Sequence, residues 1–301
     1  MKVVPFTINF LGLKMGKFLE RVKNYLSFVR FGHTVFAMPF ALIGFFMGVA
    51  DSTFSFRLLI LVVLCMVFAR NAAMGFNRIV DSKYDSLNPR TKGREIPSGV
   101  ISKRSASLFV IVNAALFVVT TAFINRLTLL LSPVALIVIL GYSLSKRFTA
   151  LCHFVVGLGL SLAPIGAYIA VTGVFHVLPL IYSFIVLTWV GGFDIIYSLQ
   201  DKEFDQRNNL RSIPSSIGIK NSILVSILVH TITALLVVLA GIIGDSGPFY
   251  IIGAVIFISL LVYQHIIVKP NDLSRVNVAF GTVNGIASLL FSIFVIVGLF
   301  V

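Results

Sequence analysis

The sequence runs to 301 residues, 58% of them hydrophobic and only 12% charged, with a formal net charge of +13. Soluble globular chains carry roughly 25% charged residues, so most of this chain cannot face water and a soluble fold is excluded. The basic excess lies between apolar runs rather than on one soluble face, which points to membrane topology and phosphate binding and away from nucleic acid.

In chain order, Met1 to Leu13 has one lysine, a proline and no small-residue cleavage site, and does not read as a secretory signal. Lys14, Lys17, Arg21 and Lys23 then interleave with Phe18, Leu19 and Val22, the pattern of a basic amphipathic segment lying on a membrane surface. Residues 1–32 thus form a cytoplasmic or interfacial lead-in. Nine apolar runs follow, near the roughly 20 residues that cross a bilayer core: 33–50, 57–77, 106–124, 128–145, 150–173, 177–198, 222–243, 249–268 and 276–301. The fourth is short and holds Pro133, which a tilted or kinked helix accommodates.

Lys and Arg alternate between the two sides. Six precede the first run; seven follow the second (Arg78, Lys83, Arg90, Lys92, Arg94, Lys103, Arg104). Lys146 and Arg147 follow the fourth; Lys202, Arg207, Arg211 and Lys220 the sixth; Lys269 and Arg275 the eighth. The opposite connectors hold only Arg57 and Arg126. The positive-inside rule places the N-terminus in the cytoplasm and the C-terminus across an inner (cytoplasmic) membrane. The expectation is an all-α polytopic membrane protein, one domain over 1–301, with about nine transmembrane helices around a central cavity open to the cytoplasmic side.

Cys65 and Cys152 read as small apolar packing residues. The five histidines fall on separate segments without metal-ligand spacing. The acidic residues say more. Seven of eleven sit in two places: Asp81, Asp85 and Glu95, then Asp194, Asp201, Glu203 and Asp205. Asp81 and Asp85 recur 120 residues later as Asp201 and Asp205, and Arg94-Glu-Ile-Pro-Ser recurs as Arg211-Ser-Ile-Pro-Ser. This echo suggests a repeated four-helix unit that brings two acidic helix ends together across a cavity.

Spacings of four and seven put Arg70, Asn77, Asp81 and Asp85 on one helix face. Carboxylates at i and i+4 repel, and a magnesium ion sharing its shell with substrate phosphates relieves that repulsion. A solvated helix end explains such a pair equally well when it stands alone. Arg70 lies inside an apolar run, where an ionisable side chain is a functional candidate or one half of an internal ion pair. In the second segment Asp194, Tyr197, Asp201 and Asp205 share a face, with Asp194 deepest. Arg90, Lys92 and Arg94 stay near the first acidic stripe, and Tyr142 and Lys146 end the fourth run one turn apart; such groups bind diphosphate oxygens.

Asn77-xxx-Asp81-xxx-Asp85 followed by Arg90-Thr-Lys-Gly-Arg94-Glu-Ile-Pro97-Ser-Gly99 resembles the first motif of the UbiA superfamily of intramembrane prenyltransferases. Asp194-xx-Tyr197-xxx-Asp201-xxx-Asp205 is similar to its second, and nine spans with motifs after the second and sixth match the family's plan. The resemblance implies that Asn77, Asp81 and Asp85 bind one Mg2+ and Asp201 and Asp205 another, and that Arg90 and Lys146, with Arg94 and Tyr142, grip the diphosphate of a polyprenyl donor. It further implies that Arg70 and Asp194, with Tyr197, serve the acceptor. The wording Gly-Phe-Asp-Ile-Ile-Tyr-Ser-Leu-Gln-Asp is similar to 4-hydroxybenzoate polyprenyltransferases and menaquinone-pathway relatives, implying a small aromatic acceptor and quinone biosynthesis. Naphthoate, haem and chlorophyll acceptors stay open. One departure is Arg78, where many members carry Asp.

Two rival readings fit the residues less well. An anionic-solute transporter would hold its site near the bilayer midplane on interrupted helices, whereas these acids cluster at one face. A CDP-alcohol phosphotransferase needs an Asp-Gly ahead of Ala69-Arg70 and a Gly where Asn77 stands.

Overall fold

In hydrocarbon every backbone polar group must find an internal partner, so apolar runs of this length become helices. A computed structural model describes residues 19–29 and 38–301, and shows how each run is started and stopped. After α1 (Met38–Ala50), α2 (Phe56–Leu87) is capped by Ser55, whose hydroxyl accepts from the Leu58 amide. α3 (Lys103–Ala122) is capped by Ser102, and α4 (Arg126–Ser145) by a reciprocal Asn125/Thr128 box. α5 (Cys152–Thr172) stops at Gly173 with φ of 73°, a left-handed stop that glycine adopts without steric cost. α6 (Val177–Ser198) begins at His176, and α7 (Ile213–Ile243) at a Ser212/Ser215 box. α8 (Pro248–Ile267) has proline in its first turn, and α9 (Asn284–Gly298) is entered through a wider helical turn over Val278–Val283.

Among the described residues eight helices are long and apolar enough to cross a membrane, and α1 is a shorter apolar helix. The first expected span begins at residue 33, and residues 30–37 lie outside the described part, as do residues 1–18 of the basic lead-in. Residues 19–28 form a helix that exposes Leu19, Val22 and Leu26 and buries Phe28, in keeping with a surface segment.

Three boundaries move, each for a physical reason. α2 runs to Leu87 rather than stopping at 77. Its 32 residues rise about 48 Å, well beyond the roughly 30 Å hydrocarbon core, so it carries Asp81 and Asp85 past the apolar slab. The sixth helix passes through a tighter turn at Leu199–Asp201 into a short helix, Lys202–Arg207, which shifts Asp201 and Asp205 off the regular period. α7 starts nine residues early and bends at Gly218, where φ is 80°. Inside α4, Pro133 cannot donate to Leu129; the Ser132 hydroxyl fills that carbonyl at 2.8 Å, so the helix continues.

The helices segregate into two regions. α1 and α6–α9 close on a solid aromatic core of Phe40, Trp189, Phe257 and Phe291, all fully buried. α2–α5, walled on one side by α6, enclose a cavity of about 620 Å³. Few interior voids exceed a water molecule, so a space this size is a chamber rather than a packing fault. The cavity therefore sits in one half of the bundle rather than at the centre of α1–α9. The connectors gather in two sets. Residues of the loops around 88–102, 146–151 and 199–212 line the polar mouth of the cavity, and Val268 and Val276 pack with Leu199 beside it. At the other end Asn125 donates to Ile169 and Ala170, and Phe46 packs against Phe54.

Candidate active site

Every residue to which the family resemblance gives a role lines this one chamber: Arg70, Asn77, Asp81, Asp85, Arg90, Arg94, Tyr142, Lys146, Asp194, Tyr197, Asp201 and Asp205; Lys92, Glu95 and Glu203 are not in its lining. Along α2 the lining runs from Asp85 back to Val62, about 35 Å of helix. Its polar groups lie at one end. Toward the other end the lining is apolar, and the hydroxyls there are spent on helix carbonyls: Thr121 on Val118, Thr128 on Asn125 and Ser132 on Leu129. That end offers an anion no ligand and an alkyl chain a dry slot.

At the polar mouth the two acidic segments are cross-linked through cations. Arg90 Nε donates to Asp201 Oδ1 at 3.1 Å, a second guanidinium nitrogen pairs with Oδ2, and Nη1 donates to the Tyr197 hydroxyl at 2.9 Å. Asn88 positions Arg90. Its side-chain oxygen accepts from the Arg90 amide at 2.9 Å, while its amide nitrogen donates to Asp201 at 3.2 Å. Tyr197 stacks on Phe280 with ring centres 4.1 Å apart. Burial alone would lower the Arg90 guanidinium, but Asp201 and Tyr197 more than offset it and hold it above its ordinary value. Lys146, just past the end of α4, pairs with the fully buried Asp205 at 2.8 Å; that carboxylate outweighs burial and raises the ammonium. Both groups stay charged across the physiological range.

Asp85 holds Arg94 in a fork of 2.7 and 2.9 Å. Asp81 is the least neutralised of the four. Asn77 donates to it at 2.9 Å, and Arg147 approaches no closer than 3.9 Å. The sequence echo is therefore unequal. Arg94 pairs with Asp85, but Arg211 does not pair with Asp205; it spends its amide on the Lys146 carbonyl and its guanidinium on that of Phe148. Ser212 bonds Asp205 instead, at 2.9 Å. Arg78 is buried, its Nε donating to the Phe28 carbonyl at 3.4 Å, which ties α2 to the helix over 19–28.

Reading the sequence missed His153. Its Nδ1 lies 2.7 Å from Asp194 Oδ2, and its ring is almost fully buried. The signal was present: it is an ionisable residue inside an apolar run, the criterion that singled out Arg70. Arg147 and Asn88 were passed over as charge and turn residues respectively.

The oxygen donors here, one amide and four carboxylates, suit a hard cation such as magnesium. Among the described residues no three carboxylate, imidazole or thiol groups stand close enough to hold an ion unaided. Such a mouth needs ligand oxygens from elsewhere, which phosphates and water supply.

The sequence matches the UbiA prenyltransferase family over residues 37–295. This chain belongs to that family. As a UbiA prenyltransferase it is 31% identical to the 4-hydroxybenzoate octaprenyltransferase of Aliivibrio fischeri, over 80% of this chain and 85% of that one. It is 28% identical to the enzyme of that name from Francisella tularensis, over 79% and 84%. The apo structure of a UbiA homologue from Aeropyrum pernix K1 superposes with a TM-score of 0.81 at 30% identity, covering 88% of this chain and 97% of that one. A UbiA homologue from Archaeoglobus fulgidus bound to GPP and Mg2+ has the same fold, with a TM-score of 0.67 at 22% identity over 92% and 100%. The chain is thus a multi-pass membrane prenyltransferase.

Proposed function

We propose that this enzyme transfers a polyprenyl group from an allylic diphosphate, in a Mg2+-dependent reaction, to a 4-hydroxybenzoate-like aromatic acid for quinone biosynthesis. The observation that carries the reading is one chamber with cation–carboxylate pairs at its mouth and a dry apolar slot behind them. In this reading the diphosphate enters the mouth and the prenyl tail fills the slot.

Asn77, Asp81 and Asp85 on α2, and Asp201 and Asp205 beyond α6, would hold the metal, which would supply neutralisation of the charge on the leaving diphosphate. Arg90, Lys146 and Arg94 exchange their carboxylate neighbours for phosphate oxygens, and Tyr142 joins them, so the same cations that neutralise the acidic mouth serve the substrate. The allylic C–O bond breaks with its electron pair on the diphosphate, in a site whose apolar walls exclude water from the carbon cation. A ring carbon of the acceptor supplies the π pair for the new C–C bond. Arg70 holds the acceptor's carboxylate. Asp194 takes the ring proton, and the C–H pair restores aromaticity. Tyr197 acts through Arg90, which its hydroxyl holds in place. The polar mouth faces the cytoplasm across an inner membrane, with the N-terminus on that side, as the positive-inside pattern supports. The whole of 1–301 serves as one domain.

The test is product formation. Purified protein in lipid, given GPP, Mg2+ and a panel of aromatic acids, yields prenylated 4-hydroxybenzoate by mass, and chelation of Mg2+ stops it. Turnover of naphthoate or another acceptor alone would correct the acceptor; no covalent product with any acceptor would defeat the proposal.

A further inference from the structure

We propose that His153 is a positioning residue for the transfer step, fixing Asp194 as an anionic proton acceptor aimed into the chamber. The inference rests on the acceptor role proposed above for Asp194.

The tautomer follows from the two neighbours of the ring. His153 Nε2 lies 3.3 Å from the backbone nitrogen of Ile213, the first residue of α7. A peptide N–H can only donate, so Nε2 presents its lone pair. The ring proton that faces Asp194 then sits on Nδ1, whose partner at 2.7 Å is Asp194 Oδ2. The length is that of a hydrogen bond to a charged acceptor. Protonating Nε2 would break the Ile213 contact and leave a helix-terminal N–H unsatisfied in a buried place. Nδ1 is thereby the ring's donor, and Asp194 Oδ2 is held as its acceptor.

The placement has a mechanical side. Asp194 is on α6 and a quarter exposed toward the chamber, while His153 is nearly inaccessible at the start of α5. Neighbouring contacts clamp the ring. Cys152 Sγ donates to the Arg211 carbonyl, and Ser212 caps α7 while bonding Asp205. One carboxylate oxygen of Asp194 is committed to this rigid corner, and the other is left for the chamber. During transfer the ring proton passes to that free oxygen while His153 keeps its own. The imidazole keeps its Nδ1 proton and fixes the carboxylate's rotamer.

Two substitutions separate this role from simple packing. In His153→Asn the amide nitrogen stands where Nδ1 stood and keeps the donor to Asp194. In His153→Gln the terminal amide reaches the Nε2 position, keeps an acceptor for Ile213 and loses the donor. With GPP, Mg2+ and whichever aromatic acid the wild type turns over, His153→Gln should lower kcat about tenfold to a hundredfold, the worth of one charge-assisted hydrogen bond. The GPP KM should not move, and His153→Asn should stay within about threefold of wild type by the same reckoning. In an Asp194→Asn background, His153→Gln should lower kcat no further, since the two act as a unit.

Wild-type kcat in His153→Gln, an equal loss in both variants accompanied by a lower melting temperature, or additivity with Asp194→Asn would overturn the assignment of His153 alone. If the wild type prenylates no aromatic acid, the acceptor reading fails first and this inference falls with it.

Discussion

The two halves of the bundle solve opposite problems. α1 and α6–α9 close completely; α2–α5 stay open. Lipid tails are as apolar as leucine, so neither half gains from hiding apolar surface, and contact shape and hydrogen bonds must hold the helices. The closed half uses a buried polar chain through its centre: Trp189 Nε1 donates to Asn284, Asn284 to Gln264, and His230 joins Gln264, His265 and the Trp189 carbonyl. The open half spends its polar groups at the mouth, where Asp81, Asp85, Asp201 and Asp205 each meet a cation or an amide. Stability and activity should therefore map to different helices. Mutations can break that separation or sharpen it.

The largest effect belongs to the mouth. Asp81→Asn combined with Asp201→Asn should cut Mg2+-dependent transfer at least about a thousandfold, the scale of losing preorganised charge stabilisation and the metal together, with little change in melting temperature. Retained activity would remove the metal assignment. Next, Arg90→Gln should raise the GPP KM about tenfold, since one charge-assisted contact is worth about 1.5–3 kcal/mol before solvent screening at this partly exposed site. An unchanged KM would exclude Arg90 from donor binding.

A pair of glycines contrasts the halves directly. Gly166 lines the chamber and an added Cβ there meets nothing within 4 Å, whereas at Gly192 it runs into the His230 ring. Gly166→Leu should slow long-chain donors more than GPP while leaving stability intact. Gly192→Ala should cost about 1–3 kcal/mol of stability from overpacking, read as a lower melting temperature. The smallest effect is Asn284→Leu, which strands the Trp189 and Gln264 groups. Interhelical bonds in lipid average only about 0.6 kcal/mol, so the melting temperature should fall slightly and kcat should hold. A fall in kcat there would couple the closed half to the chemistry.

Much of this was legible in advance, for reasons that differ along the chain. Apolar runs and the alternation of Lys and Arg give the spans because hydrocarbon admits little else. Asp81 and Asp85 were readable as a stripe because α2 is a regular helix to its end. Asp201 and Asp205 were placed in the right chamber by a period that the turn at Leu199–Asp201 does not keep. The pairing pattern was not readable. Arg90 reaches across to Asp201, 111 residues away, and His153 reaches Asp194 between helices. No spacing rule encodes contacts between separate elements. Nor could periodicity show that the cavity belongs to one half, since that depends on which helices carry side chains large enough to meet.

The central claim is that both acidic segments serve one diphosphate. Equilibrium binding of GPP to the protein in lipid nanodiscs, with and without Mg2+, tests it in wild type, Asp81→Asn and Asp201→Asn. The account expects Mg2+ to tighten binding in the wild type and each single substitution to abolish that gain. Undiminished Mg2+-linked binding in either variant would mean that the two clusters do not share the ligand.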